Sequence, residues 1–345
     1  MCHSDSLFEG GIVHDLKKLT FHYLKELHES LKYSRVARNF VLVKTKTSIN
    51  ALVELMDDPD ERIALEVENK LREHGVELLP MLERLFEESL DNPVKAERLD
   101  RLLKQLQFEE LCNNFKNWLS SVDKNLLEGV FYVCKFQYPH LTVEELQMEF
   151  LKLKEAVWLE INPKQTSFEH VKVLNRVFFD HFDFKRSASF PVSPFDLFAN
   201  TVFETREGSD LALGLIYSIV AQELDIPIYS VTSYKHTDPF LLAYIDRHDM
   251  LSLLDWGIDN NGVLFYISVA NKGVIVDPQR LKKIYTERGL EHQRALFEPA
   301  ANTQIIKKYL LELKRVCGNN AQFRYKMDDL SLLIQIFDRY GASNS

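Results

Sequence analysis

Along DLKKLTFHYLKELHESLK, residues 15–32, Leu16, Leu19, Tyr23, Leu24, Leu27 and Leu31 recur near a helical period. The following RNFVLVKTKT is short and β-prone, and residues 1–47 together read as an N-terminal extension. From Ser48 the pattern becomes three short helical runs, INALVELMDDPDERIALEVENKLREHGVELLPMLERLFEES. The turn DDPD parts the first two, with Pro59 placed to start a helix. Gly75 is placed to end the second, and the third begins near Val76. Such helices need a neighbour for their apolar faces. NPVKAERLDRLLKQLQFEELCNNFKNWL supplies one, with Leu99, Leu102, Leu103 and Leu106 on one stripe.

Residues 123–161 continue helical and close on TVEELQMEFLKLKEAVWLEIN, where Thr142 and Glu145 have capping-box spacing. A strongly apolar helix is expected over 166–184. RSASFPVSP reads as a loop, and FDLFANTVFET as a short helix leading to Gly208. A buried helix over 209–224 follows. The period then changes: IPIYSV, FLLAYI and VLFYIS are rich in Ile, Val, Tyr and Phe and read as strands, the third entered through Asn260-Asn261-Gly262. KGVIV leads into PQRLKKIYTERG, a helix with Pro278 in its first turn. Two last helices, NTQIIKKYLLELKRVCG and NAQFRYKMDDLSLLIQIFDRY, are parted at Gly318. Helices, a small antiparallel sheet and helices again make the fold α+β and mostly helical.

Composition narrows the function classes. The 345 residues are 46% hydrophobic and 27% charged, enough for a core of ordinary size. A length prior of one domain per ~150 residues allows two or three units. With 12 Gly and 11 Pro, long disordered tracts are not expected. The net charge of -9 argues against nucleic acid or an anionic membrane as the main partner. Residues 1–47 hold eight Lys/Arg against five Asp/Glu, net +3, so the remainder carries -12. Cys2, Cys112, Cys134 and Cys317 form no C-x-x-C pair. The last three fall in helical runs, which fits buried free thiols in a reducing, cytoplasmic compartment. No apolar run approaches the length of a membrane span, and no signal peptide is expected.

The chemistry-bearing candidates gather around ETREGSDLALGLIYSIVAQELDIPIYSV, residues 204–231. The plain reading makes Ser209 an N-cap and Asp210 a first-turn acid favoured by the helix dipole. A Ser209 nucleophile would need a base beside it, and a ligand-contacting role in a pocket is the remaining alternative. His236 reads as a loop histidine, or as a pocket histidine facing Asp210. Asp246, His248 and Asp249 lack the further converging ligands that a metal site needs and read as a solvated turn. His181 reads as a packing or surface residue. Tyr217 reads as core, and its hydroxyl then needs a partner.

The helices of 48–121 resemble a HEAT-type repeat, and the last two helices resemble a tetratricopeptide-like hairpin. From about Ser48 to Tyr340 the chain is similar to SirB-type proteins of the transglutaminase-like superfamily. The pattern of that family is Arg-x-Gly, a polar or small pair, then a helix of the form L-x-x-x-Y-x-x-x-A-x-x-L-G-[IL]-P. Arg206, Gly208, Leu213, Tyr217, Ala221, Leu224 and Pro227 match it, and Asp225 stands where the family usually has Gly. VWLEIN and EPAANTQIIKKYLLELK match as well.

The resemblance implies an acyl-transfer site built from a Cys at the start of the core helix, a His on the next strand and an Asp on a third. The helix N-terminus stabilises the thiolate, the His takes the proton and the carboxylate orients the His. Residue by residue, the Cys position falls on Asp210. The His position, just before FLLAYI, falls on Pro239, with His236 three residues earlier. The third falls on Ser268-Val269-Ala270, while Asn271, Lys272 and Gly273 match the turn that follows. All three catalytic residue types are lost, which argues against thiol chemistry.

The expected organisation is an N-terminal extension (1–47), a HEAT-like module (48–121), a transglutaminase-like core with a small antiparallel sheet (122–290) and a tetratricopeptide-like hairpin (291–345). The expected function is that of a cytoplasmic pseudoenzyme acting through contacts with a protein partner, without nucleic acid, membrane, cofactor or metal. One alternative is a hydrolase or acyl-transfer-type enzyme that uses Asp210 and His236 as an acid/base pair. Another is a small-ligand binding module in the same cleft. The candidate cleft residues are Ser209, Asp210, His236 and Ser268. The sequence specifies neither the partner's identity nor an oligomeric state.

Overall fold

A computed structural model describes residues 49–162, 164–189, 191–231, 240–245, 262–289 and 297–343. The N-terminal extension lies outside the described residues. The chain divides into two compact units, with the boundary between Gln107 and Phe108.

The first unit is helical. It comprises α1 (residues 49–53), α2 (Glu61–Glu73), α3 (Leu79–Glu88) and the first half of α4 (Pro93–Ser120). Asp60, not Pro59, begins α2: its carboxylate accepts the Arg62 N–H at 2.9 Å. That bond satisfies an otherwise orphaned donor, which leaves Pro59 one position before the cap. A 3₁₀ turn, Gly75–Leu78, separates α2 from α3. The leucine stripe behaves as its spacing predicts. Leu99, Leu102, Leu103 and Leu106 are all buried, in one cluster with Val67 and Leu71 of α2.

The second unit holds the rest of α4, then α5 (Leu126–Lys135), α6 (Val143–Trp158) and α7 (Ser167–Asn175). The helical run expected over 123–161 is broken after Lys135. Pro139 lacks an amide hydrogen and steers the residue before it away from the α region. The capping box of Thr142 and Glu145 restarts the helix as α6, and a second box, Thr166 and Glu169, opens α7. α7 is shorter than expected. A π-helical turn, Arg176–His181, follows it, and Asp183 leaves the helix at φ +55°.

Two residues, β1 (Lys185–Arg186), then pair in parallel with β2 (Glu207–Gly208). Between them lie a 3₁₀ turn, Pro194–Leu197, and α8 (Ala199–Thr205). α9 (Asp210–Glu223) is the central helix, with every residue from Leu211 to Ala221 buried. A helix apolar on all sides must be enclosed, and α9 packs against α6, α8, β3 and the turn after β5.

The sheet is an antiparallel meander in the order β3 (Ile228–Ser230), β4 (Leu241–Ile245), β5 (Val263–Ser268), β6 (Val274–Val276). The fold is therefore α+β and mostly helical, as the sequence predicts. β6 adds a fourth strand to the three expected; at three residues it is too short to show a period. α10 (Pro278–Thr286) follows, capped by Asp277. The chain ends in α11 (Asn302–Gly318), a 3₁₀ turn Ala321–Lys326 and α12 (Met327–Ser343). The second half of α4, α5 to α9, α11 and α12 share one core with the inner face of the sheet, while α10 packs on its other face, Leu281 and Tyr285 clustering with Leu241, Ala243 and Tyr266. Among the described residues no helix is long and apolar enough to cross a membrane.

Candidate functional site

The entrance to α9 is built by three backbone contacts. The Lys185 N–H donates to the Arg206 carbonyl and the Ser187 N–H to the Gly208 carbonyl, both at 2.9 Å. The Ser209 N–H donates to the Asp196 carbonyl at 2.7 Å. Ser209 is the N-cap, its hydroxyl accepting the Ala212 N–H at 3.2 Å. Asp210 is the first helical residue, and β1–β2 pairing brings Arg186 beside it. Arg186 Nε stands 2.9 Å from Asp210 Oδ1. The distance suits charge attraction, yet Oδ1 is buried and receives no aligned hydrogen bond among the described residues. Burial raises the Asp210 pKa, with Arg186 pulling it back in part. Arg186 itself is well exposed, so water weakens its hold.

Arg206, the residue matched to the family's Arg-x-Gly, ends α8 in the left-handed region at φ +62°. Its guanidinium lies over the rings of Phe182 and Phe184, 5.5 and 5.1 Å from their centroids. That is cation–π distance. Arg206 is therefore a support of the site entrance, held from below by aromatic rings.

On the other side of α9 the sheet closes in. Phe240, just before β4, lies against Gly214, where an added Cβ would sit 2.4 Å from its ring. Leu241 pairs with Ser268 at the end of β5. The Ser268 hydroxyl is buried and accepts from Asn271 Nδ2 at 2.9 Å. The next turn is fixed by a buried polar chain that starts on α9. The Tyr217 hydroxyl donates to Asn175 Oδ1 at 3.0 Å, and Asn175 Nδ2 donates to the Gly273 carbonyl at 3.1 Å. Asn175 is the partner that a buried Tyr217 requires. Gly273 has φ +69°, and a Cβ there would fall 1.8 Å from Asn175 Oδ1. This turn accepts only glycine without rearrangement.

Ser209 and Asp210 thus stand together at the head of α9, and Ser268 is engaged with Asn271 in the turn that follows β5. His236, Asp246, His248 and Asp249 lie outside the described residues, as does Pro239. Arg186 and Asn175 carried no sequence signal. Each reaches its partner through tertiary pairing, across 24 and 42 positions of the chain.

The thiols of Cys112, Cys134 and Cys317 are each pushed up to about 11, chiefly by burial. At neutral pH they are protonated and poorly nucleophilic. Among the described residues no three His, Cys, Asp or Glu side chains cluster so as to hold a metal ion. A cavity of about 490 Å³ lies elsewhere, between Ser189, Pro191, Val192 and Ser193 and the α11–α12 corner at Asn319 and Asn320. Neither Ser209, Asp210 nor Ser268 lines it.

A helix head beside a parallel two-residue ladder, on a helix that packs against Phe240 before β4 and the turn after β5, is the scaffold on which the resemblance places a thiol, an imidazole and a carboxylate. Residues 144–311 match the family model described as Transglutaminase-like superfamily. The chain carries a transglutaminase-like domain. The match runs from the first turn of α6 into α11 and takes in the whole α9–sheet assembly. No curated protein and no solved structure matches the chain.

Proposed function

We propose that this chain is a non-catalytic transglutaminase-like protein that acts through contacts with a protein partner. The observation that carries the reading is the head of α9. There the position matched to the thiol nucleophile is Asp210, partly buried and drawn toward Arg186. A carboxylate is a poor acyl-transfer nucleophile. The SirB-type resemblance, with HEAT-like helices before the domain and a tetratricopeptide-like pair at its end, supports the same reading, because stacked helix pairs offer surfaces that partners use. The test is catalytic: the purified chain is offered amide and ester substrates for hydrolysis and for crosslinking to amines. No turnover is expected. Turnover that disappears in Asp210→Ala would sink the proposal.

A second reading is favoured by the raised pKa of Asp210. A carboxyl that burial makes harder to ionise is a general-acid candidate, with His236 as its partner. Under that reading both Asp210→Ala and His236→Ala abolish the turnover, and its pH profile shows two limbs.

A further inference from the structure

We propose that the outward face of α6 is a docking surface for an amphipathic helix of a partner protein, one that carries Lys or Arg beside its apolar stripe. The proposal rests on the contact-based reading above and names the partner's chemistry.

α6 has two apolar faces. Leu146, Phe150, Leu153 and Val157 form the buried one. At 3.6 residues per turn, Met148, Leu151, Trp158 and Leu159 fall within about 100° of one another on the opposite side. These four are 53%, 42%, 65% and 76% exposed. Folding of the unit does not require them, since the other face already anchors the helix. Single exposed apolar residues are ordinary, but a stripe of four that includes a Trp amounts to several hundred Å² of apolar surface, the size that marks an interaction site. Its shape is one ridge along two to three helical turns, which fits the groove or flank of another helix.

The charges decide which helix. The nearby cations are already engaged: Lys152 with Glu149 at 2.5 Å, Lys154 with Glu223 at 3.3 Å, and Arg176 with Glu160. Glu155 lies inside the stripe, between Leu151 and Trp158 on the helix surface. It is exposed, and its carboxylate has no ion pair among the described residues. Glu144 is likewise exposed at the N-terminal end. An occupant that covers the stripe brings its polar edge against Glu155, and only a cation there avoids an uncompensated carboxylate. A second copy docked face to face would set Glu155 against its own equivalent. An anionic membrane would repel it.

The experiment uses the full chain and two labelled 18-residue helical peptides with identical leucine faces, one flanked by Lys and one by Glu. Fluorescence anisotropy reads binding. The Lys peptide is expected to bind at least about tenfold tighter, a gap that narrows with salt. Leu159→Ser and Leu151→Ser, both surface changes, should each weaken it several-fold. Glu155→Lys should invert the preference between the peptides. Equal binding of both peptides, or a preference that Glu155→Lys leaves unchanged, overturns the proposal. So does self-association or adsorption to zwitterionic vesicles that Leu159→Ser abolishes, since either assigns the stripe to another occupant. Substrate turnover abolished by Asp210→Ala would sink the non-catalytic reading while leaving the peptide preference intact, so the two failures are distinguishable.

Discussion

Gly214 sits in the middle of α9, where helix propensity alone favours alanine by about 1 kcal/mol. The structure predicts the opposite sign. A Cβ at this position would lie 2.4 Å from Phe240 Cδ1 and 2.6 Å from Cε1, against an optimal carbon–carbon separation of roughly 3.5–4.0 Å. Phe240 is 3% exposed, so its ring is enclosed. Overpacking of this kind costs about 1–3 kcal/mol, and a rigid, enclosed ring belongs at the upper end. The net expectation for Gly214→Ala is a loss of about 2 kcal/mol. Urea unfolding, followed by near-ultraviolet circular dichroism of the packed aromatics, should show a lower midpoint at unchanged slope. In a Phe240→Leu background the clash is relieved, and Gly214→Ala should become neutral or stabilising. A double-mutant coupling of about 2 kcal/mol follows. If Gly214→Ala raises the midpoint in the wild-type background, the placement of β4 against the first half of α9 is wrong.

Asp225 occupies the left-handed region at φ +59°, so Asp225→Gly should stabilise by about 0.5–1 kcal/mol, measured by the same unfolding series; a loss would mean that its side-chain interactions outweigh the backbone cost. Asn175→Ala strands the buried Tyr217 hydroxyl and the Gly273 carbonyl, at about 2–4 kcal/mol, and in a Tyr217→Phe background the cost should fall by about 1 kcal/mol; an unchanged cost would deny the hydrogen-bond chain. For Asp210 the sign follows from its raised pKa: the folded state holds the proton more tightly than the unfolded chain does. Relative to Asp210→Asn, wild type should be best placed below the ordinary value of 3.8 and lose stability as pH rises through the raised pKa. Unfolding midpoints of the two proteins across the carboxylate range check this, and a wild type that gains on the variant with rising pH would show that Arg186 and the helix dipole outweigh burial.

What could be read from the sequence was local. Thr142 and Glu145 announce a helix start because both partners of the box lie within one turn. Ser209 announces a cap for the same reason. The Leu99–Leu106 stripe is legible because burial repeats with the helix. The β1–β2 ladder was not legible: two residues of parallel pairing have no period, and the partners are 22 positions apart. With it went Arg186, the residue that shapes the electrostatics of Asp210. The π-helical turn after α7 was hidden because Val177, Phe178 and Phe179 continue the apolar pattern through it. Asp225 shows a resemblance conveying geometry. The family's usual glycine marks a position that needs positive φ, and this chain takes that conformation with an aspartate in place.

The contacts that hold the transglutaminase-like scaffold together are not the ones that would perform its chemistry. α9 is positioned by apolar burial, by Phe240 lying on Gly214 and by the Tyr217–Asn175–Gly273 chain. None of these requires a Cys at 210 or a His before β4. The scaffold can therefore persist with a carboxylate at the helix head, and its persistence carries no information about catalysis. Evidence of use must come from features that folding does not need. Asp210 is ambiguous by that standard, because an acid in a first turn also serves the helix. The outer stripe of α6 is less so: Met148, Leu151, Trp158 and Leu159 leave apolar surface in water although the opposite face already secures the helix. Under the docking proposal that surface is removed from water only in a complex, which makes α6, rather than the head of α9, the first place to test it.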